Sequence, residues 1–246
     1  VKISIFDRRT SIAPETEKGK AAVEYPVMSH AFYFDGGIVS YVKFLNEGET
    51  AKHGHIFYAR KEADISDKKK ILVEVALQYT DDIAPKELSF ANNIFTPEGG
   101  MHLTGFRMAL TRSLNSYAKK NEYFKKDDET LTGDDVREGL TVVISVKLPE
   151  PQVEGQTKAK LGTPDARTAV EWVTGEALDE FLEKNPDDAR QIIAKALLAQ
   201  QARKAAKAAK DTILRKGALD GLTLPGKLAD CQSKNPAESE LFIVEG

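Results

Sequence analysis

The chain has 246 residues and a formal net charge of -3, with 30% charged and 41% hydrophobic residues. This length is enough for one large domain or two small ones, each with a core of its own. The nearly balanced charge excludes a chain that is a polycation throughout, so any contact with nucleic acid must come from a local basic patch. The single cysteine, Cys231, excludes an internal disulfide and indicates a reducing compartment such as the cytoplasm.

The sequence gives no sign of a membrane segment or a signal peptide. No stretch is long and apolar enough to span a bilayer, so we expect no membrane partner. The first six residues alternate as a strand does and do not resemble a signal peptide. The chain opens inside one strand pattern and stops directly after another, which we interpret as a fragment of a longer polypeptide.

The first elements predicted are two strands and a short helix. Residues 1–6 and 24–34 have strand patterns, joined by a charged loop at 7–20 to which the sequence assigns no role. Gly36 and Gly37 then indicate a hinge. The apolar spacing over 38–45 predicts a short helix, which we interpret as a connector.

Four further strand patterns follow along the chain, at 55–61, 71–78, 87–92 and 140–147. In the second of them two sets of side chains alternate, and only one set is uniformly apolar. We therefore expect one face of the sheet to be less buried than the other. The uniformly apolar set consists of Val73, Val75, Leu77 and Tyr79.

A long amphipathic helix is predicted at about 101–120, opened by Gly99 and Gly100. Arg107 falls inside its apolar arc, and a charge within a packed face needs a partner. Arg107 could therefore form a structural ion pair, or it could lie at the rim of a cavity or on a domain interface. The apolar arc consists of Leu103, Phe106, Leu110, Leu114 and Tyr117.

Further on, Thr132 is a suitable helix N-cap, because Asp134 and Asp135 fall in the first turn and favour the helix dipole. After the strand at 140–147 comes the loop 154–162, bracketed by Gly155 and Gly162. The loop presents an amide, a hydroxyl and two ammonium groups, which suit an anion such as phosphate. The alternative is a solvated lysine-rich turn. The polar groups belong to Gln156, Thr157, Lys158 and Lys160.

Two helices are predicted to end the periodic part of the chain. The first covers about 166–183 and is broken at Asn185 and Pro186, and the second extends to about Lys216, roughly 30 residues. Its segment 192–199 is apolar nearly all round, so we expect packing on several sides.

The second half of this helix carries a narrow alanine stripe opposite a face of almost one sign. A solvated charged face is one interpretation. The other is a DNA contact, because a row of cations can align with phosphates and release counterions on binding. The candidate DNA-binding residues are Arg203, Lys204, Lys207, Lys210, Arg215 and Lys216.

Five sequence motifs resemble motifs of the type IIA DNA topoisomerases. They occur in the same order as in that family, and the resemblance covers most of the chain. The segment 156–162 looks like the QTK loop of that family, and 92–112 like its NNI, EGG, GFR and ALTR motifs. The segments 132–140, 224–231 and 239–246 are similar to three further blocks. The last two favour the bacterial gyrase B branch over the topoisomerase IV branch.

This resemblance implies an α+β fold: a four-stranded sheet backed by helices, followed by a long C-terminal helix. It also implies a left-handed βαβ crossover, although sequence alone would favour the common right-handed one. The implied segments are the last strands of a GHKL ATPase domain at 1–35, a transducer domain at 36–186, a basic helix and linker at 187–223, and the start of a TOPRIM domain at 224–246.

The resemblance also assigns roles to individual residues. Lys158, with Gln156 beside it, is expected to contact the γ-phosphate of ATP bound to the neighbouring GHKL domain. Glu245 is expected to be a catalytic residue that helps bind magnesium and assists DNA cleavage and religation. Both sites are incomplete in this sequence, so the fragment alone is expected to be inactive.

The implied function is to couple ATP hydrolysis to DNA strand passage and supercoiling. The implied partners are double-stranded DNA, a gyrase A-type subunit and a second B subunit, joined through an N-terminal domain outside this sequence. The implied location is the cytoplasm, in association with the nucleoid. The alternatives are a topoisomerase IV B subunit or a passive DNA-binding scaffold without a nucleotide role.

Overall fold

The computed structural model describes residues 2–7, 28–66, 69–124, 129–154, 159–220 and 235–238. The chain divides into two compact units, Val1–Gln200 and Gln201–Gly246. The first unit combines a mixed sheet with helices, which confirms the predicted α+β class. In the second unit the described residues form the end of the last helix and a single 3₁₀ turn at Pro236–Glu238.

The chain begins with two strands and a short helix, as predicted, and the two strands form a β-hairpin. Strands β1 (Lys2–Asp7) and β2 (Met28–Tyr33) pair antiparallel, with Lys2 opposite Tyr33. The charged loop between them, residues 8–27, lies outside the described residues. Helix α1 (Gly37–Leu45) follows directly.

The central sheet has five strands in the order β3-β4-β7-β5-β6. They are β3 (Phe57–Ser66), β4 (Lys69–Tyr79), β5 (Lys86–Ala91), β6 (Ile94–Phe95) and β7 (Leu140–Lys147). Strand β4 pairs antiparallel with β3 and β7, whereas β5 runs parallel to β7. The sheet is therefore mixed, with β3 and β6 at its two edges.

The prediction of four strands was wrong by one, because β6 adds a short edge strand. Asn92 and Asn93 have φ of 49° and 65°, so two consecutive residues adopt the left-handed conformation. Such a pair closes a tight two-residue hairpin, and asparagine tolerates this conformation well. The chain then turns back on β5 and pairs Phe90 with Phe95.

Because β5 and β7 are parallel, the chain must cross over between them. The crossover contains α2 (Met101–Lys120) and α3 (Gly133–Arg137). The predicted left-handed course of this crossover stays a prediction. Helix α3 begins at the predicted cap: Thr132 Oγ1 accepts from the amide of Asp135, whose carboxylate accepts from the amide of Thr132.

Helices α4 (Pro164–Lys184) and α5 (Pro186–Asp220) meet at Asn185. Pro186 has no amide proton and cannot continue the hydrogen bonds of α4. The side chain of Asn185 instead donates to the carbonyl of Phe181, 2.9 Å away. The predicted break is thus confirmed, and α5 is 35 residues long, ending four residues beyond the predicted end.

Helices α2 and α4 pack on one face of the sheet and form the main core. The two helices approach closely at Gly105, where an added Cβ would lie 2.3 Å from the carbonyl oxygen of Arg167. Helix α1 covers the other face through Val42, which contacts Ala76 and Val143. The alternation predicted for β4 is confirmed, since Val73 and its partners of the same set are buried in the main core.

The first part of α5 is packed along one broad side and not on the several sides that were predicted. Ile192, Ile193 and Ala196 are buried, but Leu198 is 60% exposed. The helix presents one side to the core, so its opposite side stays in solvent even where the sequence is apolar. Polar residues occupy part of the buried side: Lys195 and Gln200 are only 7% and 2% exposed.

Candidate functional site

The predicted phosphate-binding residues Gln156 and Lys158 fall in segment 155–158, outside the described residues. What the structure describes is the base of this loop. Strands β8 (Val153–Glu154) and β9 (Lys160–Leu161) form a two-stranded antiparallel ribbon that brings the two ends of the loop together. The Nζ atom of Lys160 donates to the carboxylate of Glu154 across the ribbon, at 2.9 Å. This contact raises the pKa of Lys160, so its ammonium stays charged.

The loop base is attached to the segment that opens α2. The amide of Glu98 donates to the carbonyl of Ala159 at 3.0 Å, and the amide of Leu161 donates to the carbonyl of Gly99, also at 3.0 Å. Gly100 and Leu161 form a parallel bridge beside these bonds. Two backbone hydrogen bonds and the adjacent bridge thus fix the start of β9 against the N-terminal end of α2.

Gly100 is the point of closest approach. Its φ of 132° and ψ of -159° lie in a region that only glycine adopts readily. A Cβ added there would lie 2.2 Å from the carbonyl oxygen of Leu161 and 2.5 Å from its amide nitrogen. Both neighbours are backbone atoms, which cannot turn aside as a flexible side chain can. Gly100, which the sequence predicted at the start of α2, is therefore also the residue against which the loop base packs.

A cavity of about 530 Å³ opens beside this junction. Its walls come from the start of β5, the first turns of α2 and β9. Two cations and two carboxylates line it: Arg107, Lys160, Glu87 and Glu98. Both cations are paired, Lys160 with Glu154 and Arg107 with Glu87. The cavity is thus lined by charges of both signs and has the base of the loop as one wall.

Arg107 satisfies both alternatives that the sequence left open. Its Nε donates to one carboxylate oxygen of Glu87 at 2.9 Å, and its Nη2 donates to the other. This bidentate hydrogen bond to Glu87 raises the pKa of Arg107 above its usual value. The side chain is still 42% exposed and lines the cavity. Arg107 is therefore both an ion-pair partner and a cavity residue.

The candidate DNA-binding residues lie in the second unit, on the last part of α5. Residues 201–213 of this helix are exposed along their whole length. The exposed set includes Arg203, Lys204, Lys207 and Lys210. Arg215 and Lys216 belong to the same helix, but their side chains lie outside the described residues. The prediction that these residues lie on one long helix is confirmed, and their DNA-binding role stays a prediction.

The predicted magnesium ligand, Glu245, also lies outside the described residues. Within the described ranges, no three His, Cys, Asp or Glu side chains come together as a metal-ion site would require. In those same ranges, every helix is too short or too polar to cross a membrane.

Sequence patterns did not indicate a polar cluster at the start of α5. Asp188 accepts from the amides of Gly54 and His55 at 3.3 and 3.2 Å, and from Nδ1 of His55 at 2.8 Å. Burial alone would raise the pKa of Asp188, but the hydrogen bonds from His55 and Gly54 lower it. His53 beside it accepts from the amide of Tyr79 through Nε2, at 3.0 Å. The only sequence signal is an aspartate in the first turn of a helix, which is too common to locate a distant partner.

Comparison with known proteins gives a consistent result. The family model described as DNA gyrase B matches residues 37–212. Over 247 residues the chain is 53% identical to the DNA gyrase B subunit of Haloferax volcanii, covering 100% of this chain and 35% of that relative. Over 215 residues it is 51% identical to the DNA gyrase B subunit of Bacillus mycoides, covering 87% of this chain and 52% of that one.

The fold is also similar to a solved structure, the 43K ATPase domain of Thermus thermophilus gyrase B in complex with an aminocoumarin. The TM-score is 0.67 and the identity 42%, over 75% of this chain and 48% of that one. The chain thus spans about a third to a half of the length of the curated relatives named above.

Proposed function

The chain belongs to the DNA gyrase B family, and from that membership we propose that it is the transducer region of an ATP-dependent type II DNA topoisomerase. Its role is to pass the state of a bound nucleotide to the DNA-cleaving part of the enzyme. In this proposal residues 1–35 complete the GHKL ATPase domain and 36–186 form the transducer. Residues 187–223 are the basic helix and linker, and 224–246 begin the TOPRIM domain.

The nucleotide signal enters through Lys158, with Gln156 beside it, on the QTK-like loop. A lysine that contacts the γ-phosphate binds the triphosphate and loses its partner when the phosphoryl group leaves. This difference in affinity biases one domain arrangement over the other. A charge-assisted hydrogen bond contributes about 1.5–3 kcal/mol, which can bias a two-state hinge but cannot drive it alone.

One structural observation supports this role above the others: the base of the loop is fixed to the start of α2. A loop that senses a ligand must transmit force to something rigid. Helix α2 is 20 residues long and packs against both the sheet and α4. A displacement of the loop base therefore acts on the core of the first unit and not on a free segment.

Substituting Lys158 with alanine in the complete B subunit should lower ATP turnover by about 10- to 150-fold, the kinetic equivalent of a lost charge-assisted bond. Nucleotide binding should persist, since other contacts hold the rest of the ATP molecule. Steady-state hydrolysis and nucleotide titration measure the two effects separately. Lys120→Ala is the control, because Lys120 is an exposed lysine paired with Glu183 on the surface. Normal turnover in Lys158→Ala would contradict the proposal.

The basic helix is proposed to contact double-stranded DNA. Neutralising Arg203, Lys204, Lys207 and Lys210 to glutamine should reduce the slope of log K against log [salt] by up to about 3.6 for B-DNA, at about 0.9 per phosphate contact. The neutralised chain keeps its helix, because glutamine forms helices nearly as well as lysine. Neutralising Lys120 and Lys184, on the surfaces of α2 and α4, provides the control. An unchanged slope would remove this helix from the DNA contact.

These two experiments also separate the proposal from a passive DNA-binding scaffold. A scaffold requires the basic helix but gives Lys158 no role, so only the salt slope would change. A topoisomerase IV B subunit would respond to both substitutions and differ in its preferred reaction, decatenation. The similarity to gyrase B subunits favours supercoiling.

The remaining proposals concern partners that act with the complete protein. We expect ATP and magnesium as cofactors, with Glu245 as a magnesium ligand and catalytic residue, a role that stays a prediction. The partners proposed are a gyrase A-type subunit and a second B subunit. The location proposed is the cytoplasm, in association with the nucleoid.

A further inference from the structure

One buried carboxylate joins three elements next to the cavity. Glu87 lies at the start of β5, and its side chain is only 9% exposed. It accepts the two-pronged bond from Arg107 on α2, and Nη1 of Arg137 on α3 lies 3.7 Å from the same carboxylate. Because a carboxylate with so little exposure needs partners, Arg107 and Arg137 both help to hold Glu87 in place.

The residue after Arg137 makes the next contact. Oε1 of Glu138 lies 3.5 Å from Nζ of Lys195, on the first part of α5. The same Nζ donates to the carbonyl of Asp82 at 3.0 Å and to that of Asp81 at 3.4 Å. The consecutive residues Arg137 and Glu138 therefore have different partners. Arg137 pairs with Glu87 beside the cavity, and Glu138 pairs with Lys195 on α5.

Lys195 is unusually well enclosed for a lysine, since its side chain is 6% exposed. The chain makes room for it at Gly139, where φ is 73° and an added Cβ would lie 2.8 Å from the Cε atom of Lys195. Neighbouring turns of α5 are held by neutral or helix-end contacts: Asp188 to the 54–55 backbone, and Gln200 to the carbonyl of Thr130 at 2.8 Å. Of these three anchors, Lys195 is the one whose contacts continue to the wall of the cavity.

We propose that Lys195 is a positioning residue for energy coupling. Through its contact with Glu138, and through Arg137 and Glu87 beyond it, Lys195 links α5 to the cavity beside the nucleotide loop. This inference rests on the proposed transducer function. A buried ion pair contributes little net stability compared with a well-packed apolar pair, but it fixes one geometry. Here the fixed geometry makes the cavity wall and α5 move together, and α5 continues into the basic segment.

The test compares Lys195→Met with the wild type in the complete B subunit assembled with its A-type partner. ATP turnover without DNA should stay within about twofold of wild type, because Lys195 is not part of the nucleotide site. Supercoils introduced per ATP hydrolysed should fall at least about fivefold, the lower end of typical coupling free energies. Lys195→Arg keeps the charge and should recover more than half of that ratio. Lys184→Met, an exposed lysine paired with Glu180, should match wild type.

The ratio distinguishes coupling from stability. A variant that is merely less stable loses supercoiling and hydrolysis in proportion, which leaves the ratio unchanged and overturns the inference. If Lys195→Met does not yield a folded protein, Glu138→Gln is measured by the same criterion, since its side chain is 26% exposed and tolerates neutralisation. Where Lys195→Met folds, the double variant Lys195→Met/Glu138→Gln should be no worse than the more severe single variant, as expected for one shared contact.

The inference can fail without the proposed function. If Lys158→Ala lowers ATP turnover as expected while Lys195→Met and Glu138→Gln both keep the wild-type ratio, nucleotide sensing stands and Lys195 has no coupling role. If Lys158→Ala leaves turnover normal, the proposed function itself falls, and the coupling role of Lys195 falls with it.

Discussion

Replacing Gly100 with alanine should destabilise the chain by about 3–5 kcal/mol and lower ATP turnover in the complete protein. Two costs add at this position. The conformation with φ of 132° costs a non-glycine residue about 1–3 kcal/mol. The new Cβ would also meet the carbonyl oxygen of Leu161 at 2.2 Å, and relieving that clash breaks the backbone bond from Leu161 to Gly99.

The measurements are urea unfolding and amide hydrogen exchange of the peptide covering Leu161 and Gly162. The amides of both residues donate to backbone carbonyls, those of Gly99 and Gln152. Loss of protection confined to this peptide would show that the chain escapes the clash by detaching β9 from α2. In that case the unfolding free energy falls by no more than the free energy needed to detach β9 from α2. ATP turnover falls because the loop base is displaced.

Gly133→Ala is the matched control for this substitution. An added Cβ there meets only Thr111 Oγ1, at 3.9 Å, and alanine is favourable in the first turn of α3. We therefore expect a change within about 0.5 kcal/mol. If Gly100→Ala were as mild as this control, the loop base would not depend on close approach at Gly100, and the observation that best supports the transducer role would be lost.

The parts of the fold that sequence could predict are those decided by nearby residues. The apolar spacing of α2 indicated its bounds, since a helix repeats every 3.6 residues whatever packs against it. The cap at Thr132 was predictable because both halves of the capping box lie within four residues. The break at Pro186 follows from the missing amide proton alone.

The parts that sequence could not predict depend on residues far apart in the chain. Lys195 occupies an apolar stretch, and its pattern alone is compatible with a solvated lysine. Its burial follows from Asp81, Asp82 and Glu138, which come from another part of the chain. Strand β6 was missed for a different reason, because two residues are too few for an alternating pattern, and only the Asn92-Asn93 turn indicates it.

The candidate site was predictable in kind but not in arrangement. A resemblance in motif order supplied the QTK-like loop, whereas the basic helix was predicted from its charge pattern. The attachment of β9 to α2 could not be predicted, because it is made by backbone atoms of Gly99 and Ala159, whose side chains carry no information about pairing. Arg107 illustrates the same limit: its position in an apolar arc required a partner, but only the fold identifies that partner as Glu87.

The free energy of unfolding should fall by about 3 kcal/mol between pH 7 and pH 4 because of His102 alone. This side chain is fully buried in α2, and burial lowers its pKa from 6.5 to about 4. In that interval the unfolded chain takes up a proton that the folded chain excludes. The contribution is therefore fully present above pH 6.5 and is lost progressively as the pH falls toward 4.

The buried environment explains why the folded state excludes this proton. Nε2 of His102 lies 3.2 Å from Oγ1 of Thr96, while Nδ1 has no hydrogen-bond partner among the described residues. A charge on the ring would thus be buried with one neutral contact, which is far less favourable than hydration. His102→Gln keeps an amide near the position of Nε2 and cannot titrate. Its unfolding free energy should therefore depend less steeply on pH.

The experiment is urea unfolding of wild type, His102→Gln and His30→Gln at a series of pH values from about 7 to 4. His30 is exposed on β2, so His30→Gln is the matched control for the loss of a histidine side chain. The difference between wild type and His102→Gln should change by about 3 kcal/mol across the series, with wild type losing the advantage at low pH. Parallel profiles for these two proteins would mean that His102 accepts a proton in the folded chain as readily as in the unfolded one. Burial in α2 would then not control its charge.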